Sequence, residues 1–173
     1  MREIDLPDRV TASMEQGVLG IKGPLGTAKK DFTLVRTTIT VEGKKVMVKP
    51  FGRKKKDKAI LGTASSIIMN LIQGVTKGFT YKVKIVYAHF PITVKVKGKE
   101  IHVENFYGER SPRIAQIVGD CKANVQGDDV IIQGINLEDV GHTAANIEQA
   151  TKVRRKDQRV FLDGLYVYDK VRN

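Results

Sequence analysis

An enzyme reading starts with the three histidines and the one cysteine, the side chains that combine metal ligation with acid–base or nucleophilic chemistry near neutral pH: His89, His102, His142 and Cys121. They are scattered, with no Cys-x-x-Cys or His-x-x-x-His spacing to bring two donors onto one turn or one helix face. A thiol and an imidazole can still meet across a fold, which keeps a small Cys121/His hydrolase open as one reading. Against it, Cys121 lies in strand-like sequence, and a lone cysteine is among the most often buried residues. The acidic pairs Asp128-Asp129 and Glu138-Asp139 fit a hairpin turn and the first turn of a helix, where carboxylates are favoured on structural grounds. The glycine-rich run 17–26 lacks the Gly-Lys-Ser/Thr ending of a phosphate loop, and no helical pattern follows it, so it reads as turns between short strands. These patterns assign no catalytic residue, no metal ligand and no cofactor. A single cysteine allows no internal disulfide framework and suits a reducing cytosol.

Cations are the stronger signal. Among 173 residues, 30 Lys and Arg stand against 19 Asp and Glu, a net charge of +11. Such a surplus on a small chain repels itself unless a polyanion neutralises it, and nucleic acid is the default polyanion. A membrane surface fits less well, because it favours one amphipathic basic helix, whereas the basic residues here fall mostly in strand and loop sequence. The longest aliphatic run, Ile67-Ile68-Met69, is far shorter than the roughly 20 apolar residues of a spanning helix. The first nine residues carry charges where a signal peptide has an apolar centre. Three basic clusters stand out: Arg53, Lys54, Lys55 and Lys56 with Lys58; Arg110 and Arg113; and Lys152, Arg154, Arg155, Lys156 and Arg159, with Lys170 and Arg172 trailing. Each such side chain that meets a phosphate releases condensed counterions, giving salt-sensitive affinity without reading base sequence. Phe106 and Tyr107 precede the second cluster and belong either to a base-stacking surface or to the core. There is no RNP-type aromatic strand, no Gly-x-x-Gly clamp and no recognition helix, which leaves structured RNA read by shape.

The elements that position these clusters come in duplicate. Residues 41–48 align with residues 125–132 at an offset of 84, each an apolar residue, a polar one, a glycine, two charged residues and an apolar run. Both read as β-hairpins. After the first, Ile60, Ala64, Ile67, Ile68, Leu71, Ile72 and Val75 recur at helical spacing, with Asp57 as the expected N-cap. After the second, Leu137, Val140, Ala144 and Ile147 form the stripe, with Asn136 as cap. The helices align at an offset of 79, so five extra residues separate strand from helix in the first copy, where the run 53–56 sits. That run is expected to be a loop added to a shared scaffold. Upstream, residues 18–23 loosely match residues 94–98, and β-prone residues 32–35 and 101–103 follow. Residues 81–87 alternate strictly and make the clearest strand.

The chain is thus expected to be α+β, with two tandem similar domains, residues 1–79 and 80–173, each a small antiparallel sheet or two short sheets packed with one helix. Residues 1–78 carry a net charge of +8 and residues 79–173 one of +3. Totals alone therefore favour the first domain as the RNA binder.

The stretches Leu61-Gly62-Thr63, Asn70, Gly74-Val75-Thr76-Lys77-Gly78-Phe79, Asn105-Phe106-Tyr107-Gly108-Glu109-Arg110 and Val140-Gly141-His142-Thr143-Ala144-Ala145-Asn146-Ile147 closely resemble the family of large-subunit ribosomal protein six (uL-six, called L-nine in eukaryotes). The likeness covers nearly the whole chain and is nearest the archaeal branch, since residues 161–168 stand where bacterial members carry a Tyr-Lys-Gly-Lys-Gly tail. The resemblance implies a structural, non-enzymatic protein of the cytoplasmic ribosome. Its partners would be large-subunit rRNA close to the sarcin-ricin loop and neighbouring ribosomal proteins, with translation factors nearby. It also implies that the second domain makes the main RNA contacts, against the charge totals. Arg110, Arg113, Lys152, Arg154, Arg155, Lys156, Arg159 and Lys170 then become the expected contacts, with Arg53, Lys54, Lys55 and Lys56 secondary. A free-standing RNA-binding regulator of the same fold is a further alternative.

Overall fold

Alternation of apolar and polar residues along short strands, with one apolar helical stripe per repeat, fixes the architecture. The computed structural model describes residues 2–154, 156–157 and 159–172, so the expected contact Arg155 lies outside the described residues. The chain divides into two compact units, Met1–Gly78 and Phe79–Asn173. Phe79, placed by the sequence at the end of the first domain, opens the first strand of the second unit.

The first unit runs β1 (Arg2–Asp5), β2 (Thr11–Glu15), β3 (Val18–Gly23), β4 (Gly26–Asp31), β5 (Thr37–Glu42), β6 (Lys45–Pro50) and α1 (Lys55–Thr76). Two antiparallel sheets form, in the orders β1-β6-β5 and β2-β3-β4. The central strands bury Val46 and Val48 from one sheet and Leu19 and Ile21 from the other. Helix α1 packs on both sheets. Its length and composition would suit a bilayer, but Leu61, Ala64, Ile68, Leu71, Ile72 and Val75 are already buried within this unit.

The second unit repeats the plan with β7 (Phe79–Val86), β8 (Thr93–Lys97), β9 (Glu100–Glu104), β10 (Arg113–Gln116), β11 (Lys122–Gln126), β12 (Asp129–Gly134) and α2 (Leu137–Ala150), then adds β13 (Gly164–Arg172). Its sheets are ordered β8-β9-β10 and β11-β12-β7-β13. Removing β13 leaves the order of the first unit, so the duplication holds strand for strand. The two hairpins share their register: Val41 faces Val46 and Val125 faces Val130, with Gly43 at φ +58° and Gly127 at φ +59° opening each two-residue turn. Ile68 and Ile147, paired by the sequence alignment, are both fully buried.

The structure corrects the sequence reading at five places. Residues 32–35 form a turn that drives Phe32 into the core, where a strand was expected. Residues 18–23 and 94–98 are not equivalent: β3 is the middle strand of its sheet and β8 an edge, so their likeness reflects a shared strand-to-turn pattern. Strand β1 carries Arg2, Glu3 and Asp5 around one apolar residue, too few apolar side chains to signal a strand. The run 53–56 is only partly a loop. Of the five extra residues, two lengthen the connection and three add a turn to the start of α1, so that Lys55 and Lys56 are helical. Asp57 is not the cap residue. It stands three positions inside the helix, and its carboxylate accepts the Lys54 backbone N–H at 3.0 Å, the back-reaching half of a capping box.

Candidate nucleic-acid interface

The turn between β9 and β10 is made by residues in the left-handed region: Asn105 (φ +60°), Tyr107 (φ +53°) and Gly108 (φ +72°). Asparagine and glycine adopt that region readily, a tyrosine seldom does. The backbone reversal sends adjacent aromatic side chains to different places. Phe106 is buried in the core of the second unit, while Tyr107 is half-buried at its edge. The two rings meet edge to face, centroids 4.6 Å apart. Of the two residues that the sequence left open between stacking and core, Phe106 is therefore a core residue.

Arg113, at the start of β10, is tied down on every side. Its Nε and one terminal nitrogen donate to the two carboxylate oxygens of Glu109 at 2.9 and 2.7 Å. The other terminal nitrogen donates to the Ala150 carbonyl at 3.0 Å, and the guanidinium carbon lies 4.2 Å from the centre of the Phe106 ring. Ala150 is the last residue of α2, whose final turn holds no basic residue of its own. Arg113 supplies that charge from a neighbouring strand, where the helix dipole favours a cation. The hydrogen bonds from Arg113 hold the Glu109 carboxyl below the usual carboxylate range, with Lys156 adding a smaller effect of the same sign. Arg113 thus organises the site, and each of its three nitrogens already donates one hydrogen bond within the chain.

The third cluster follows α2 directly. Thr151 closes the helix, its hydroxyl donating to the Ile147 carbonyl at 3.0 Å and accepting the Leu165 N–H at 3.2 Å. Val153 is buried, and in an extended segment this turns its neighbours Lys152 and Arg154 outward. Both are exposed and make no ion pair among the described residues. Lys156 folds back so that its ammonium lies 4.3 Å from the centre of the Tyr107 ring and 4.9 Å from that of Phe161. Tyr107 Oη donates to the Phe161 carbonyl at 3.5 Å. Burial, with the nearby Asp163 charge second, pushes the Tyr107 phenol above its ordinary value, so it stays neutral. Asp163 is wholly buried and accepts the Ala88 N–H at 2.8 Å, pinning this loop to the end of β7.

Arg113 of the second cluster and Lys152, Arg154 and Lys156 of the third, some forty residues apart in sequence, therefore converge on one cleft of about 330 Å³, whose lining also includes Tyr107 and Glu109. Arg110 is exposed on the loop entering β10. Arg159 is exposed and pairs with Asp157 at 2.9 Å, a solvated pair that a phosphate can compete with. Lys170 is elsewhere, on β13, 5.6 Å from the Tyr81 ring. The first cluster lies in the first unit: Arg53, Lys54, Lys55, Lys56 and Lys58 are all exposed at the start of α1. Cations at a helix N-terminus oppose the dipole, and only Asp57 offsets them. Cys121 is half-buried, and burial pushes its thiol up to about 11, so the reactive thiolate is absent at neutral pH.

Sequence reasoning missed Glu109, Val153, Phe161 and Asp163, the residues that hold the cations in place. The pattern Lys152-Val153-Arg154, one apolar residue between cations in an otherwise polar run, was the available sign of an anchored loop.

The family model described as "Ribosomal protein L6" matches residues 6–78 and 90–164, one stretch in each unit. The chain is 52% identical over 168 residues to the large ribosomal subunit protein uL6 of Methanosphaera stadtmanae, covering 96% of this chain and 91% of that protein. It is 48% identical to the protein of the same name from Staphylothermus marinus, covering 96% and 92%. To that of Methanosarcina mazei it is 47% identical, covering 98% and 96%.

Proposed function

Because the chain belongs to the ribosomal protein L6 family, with relatives of archaeal type, we propose that it is a structural, non-catalytic constituent of the large ribosomal subunit in the cytoplasm. It binds large-subunit rRNA near the sarcin-ricin loop and supports the translation-factor site, beside neighbouring ribosomal proteins. The second unit makes the main contacts through Lys152, Arg154, Arg155, Lys156, Arg110 and Arg159, which hold phosphates in a fixed arrangement and recognise shape. Arg113 positions this set. Arg53, Lys54, Lys55 and Lys56 make a secondary contact, and Lys170 adds charge outside the cleft.

The observation that carries this reading is the convergence of cations from two distant segments on one cleft, with Lys152 and Arg154 unpaired among the described residues. Cations serving only solubility have no need of the buried Val153 anchor and the Arg113 brace. The test is a titration of large-subunit rRNA at several salt concentrations with the parent chain and a Lys152→Ala, Arg154→Ala, Lys156→Ala variant. The variant is expected to bind more weakly, with a slope of log K on log salt shallower by about 0.7 to 0.9 for each phosphate no longer neutralised. Identical affinity and slope would remove the cleft from the interface.

A further inference from the structure

We propose that the cleft at Tyr107 receives one unpaired nucleotide of the bound RNA, its base stacked on the ring face that Lys156 covers and its phosphates on Lys152, Arg154 and the displaced Lys156. The inference rests on the RNA-binding reading above and assigns that site a ligand geometry. Among the described residues, Tyr107 is the only aromatic side chain lining the cleft. The left-handed backbone at φ +53° turns its ring to the cleft wall while Phe106 enters the core, and strained backbone of this kind persists where the surroundings enforce it, often at ligand sites. A volume of about 330 Å³ is at the small end of ligand-sized clefts, enough for a single nucleotide and too small for a duplex.

The cover is removable. An exposed cation–π contact is weaker than the stacking of a base on an aromatic ring, and a phosphate offers the Lys156 ammonium a stronger partner than the ring does. The one carboxylate lining the cleft among the described residues, Glu109, is already neutralised by two hydrogen bonds from Arg113, so it does not repel the incoming phosphate.

The probe is a short ribo-oligonucleotide with 2-aminopurine at its centre, titrated with the full chain beside a blunt RNA duplex and large-subunit rRNA. Quenching of the single strand by the parent and by Tyr107→Phe is expected, with affinity about tenfold lower and quenching abolished in Tyr107→Leu. Because Tyr107→Leu can disturb the turn, the unmodified chain carries a second readout. The ε-methylene protons of Lys156, held over the Tyr107 and Phe161 rings, are expected to be shifted upfield in the free protein and to return to the ordinary lysine position on binding. Retention of that ring-current shift in the RNA complex overturns the inference. So does rRNA binding without quenching and without sensitivity to Tyr107→Leu, an outcome that leaves the ribosomal role intact. Failure of the parent chain to bind large-subunit rRNA at all overturns the RNA-binding reading and the inference with it.

Discussion

Arg113 shows how far a basic residue beside the cleft can be committed to the fold. Its guanidinium satisfies the end of α2, neutralises Glu109 and covers Phe106 at once. Replacing it with methionine keeps some of the packing but leaves the Ala150 carbonyl and the Glu109 carboxylate without these partners. A loss of about 1–2 kcal/mol in urea unfolding is expected, limited by partial exposure of the pair. The pH dependence has a definite sign. The Glu109 carboxyl is depressed on folding from an ordinary value of 4.5, so its stabilisation is complete above that value and is lost as pH falls through the folded one. Stability measured between neutral pH and about pH 3 should therefore fall less in Arg113→Met than in the parent. Glycines offer an independent check. Gly119 (φ +62°) and Gly127 (φ +59°) share a conformation, but a β-carbon at Gly119 collides with the Asp139 carboxylate while one at Gly127 meets open space. Gly119→Ala should lower the melting temperature clearly more than Gly127→Ala, whose cost is only the left-handed backbone.

Elements carry the next level. The start of α1 places four consecutive cations, Arg53 to Lys56, where the helix dipole wants anions, with Asp57 alone compensating. Lys55→Glu together with Lys56→Glu should raise the melting temperature of the free protein at low salt, the gain fading as salt is added. The same change should weaken binding to rRNA if this end of α1 is the secondary contact. A stabilising change that harms binding would show that the run is kept for its partner. The hairpins, both helices and the repeat were legible in the sequence because each rests on local periodicity and turn chemistry. Asn136 caps α2 as expected, accepting the Glu138 N–H at 3.1 Å. Strand β1 was not legible, because its identity comes from pairing with β6 forty or more residues away. The candidate site divides in the same way. The cations could be named from composition, whereas the unpaired state of Lys152 and Arg154 among the described residues, the commitment of Arg113 and the ring contact of Lys156 depend on Val153, Glu109 and Tyr107, of which only Val153, an apolar residue between cations, leaves a local trace.

At the scale of the whole chain, the two units share one plan and differ by β13. That strand lies along β7, with Leu165 buried against the core, and it receives a further bond from α2, since Val167 N–H donates to Glu148 Oε1 at 2.8 Å. Removing residues 164–172 should therefore cost the second unit its protection from hydrogen exchange in β7 and β12, while β3, β6 and α1 keep theirs.

The place of β13 also sets a timetable. Every partner in the first unit has been synthesised by the end of α1 at Thr76, so that unit can collapse while the next strands are still being translated. Strand β7 emerges immediately afterwards, but its outer neighbour begins only at Gly164. For that interval a long strand with one apolar face has an open flank, the kind of unpaired edge on which a nascent chain is exposed to association with other chains.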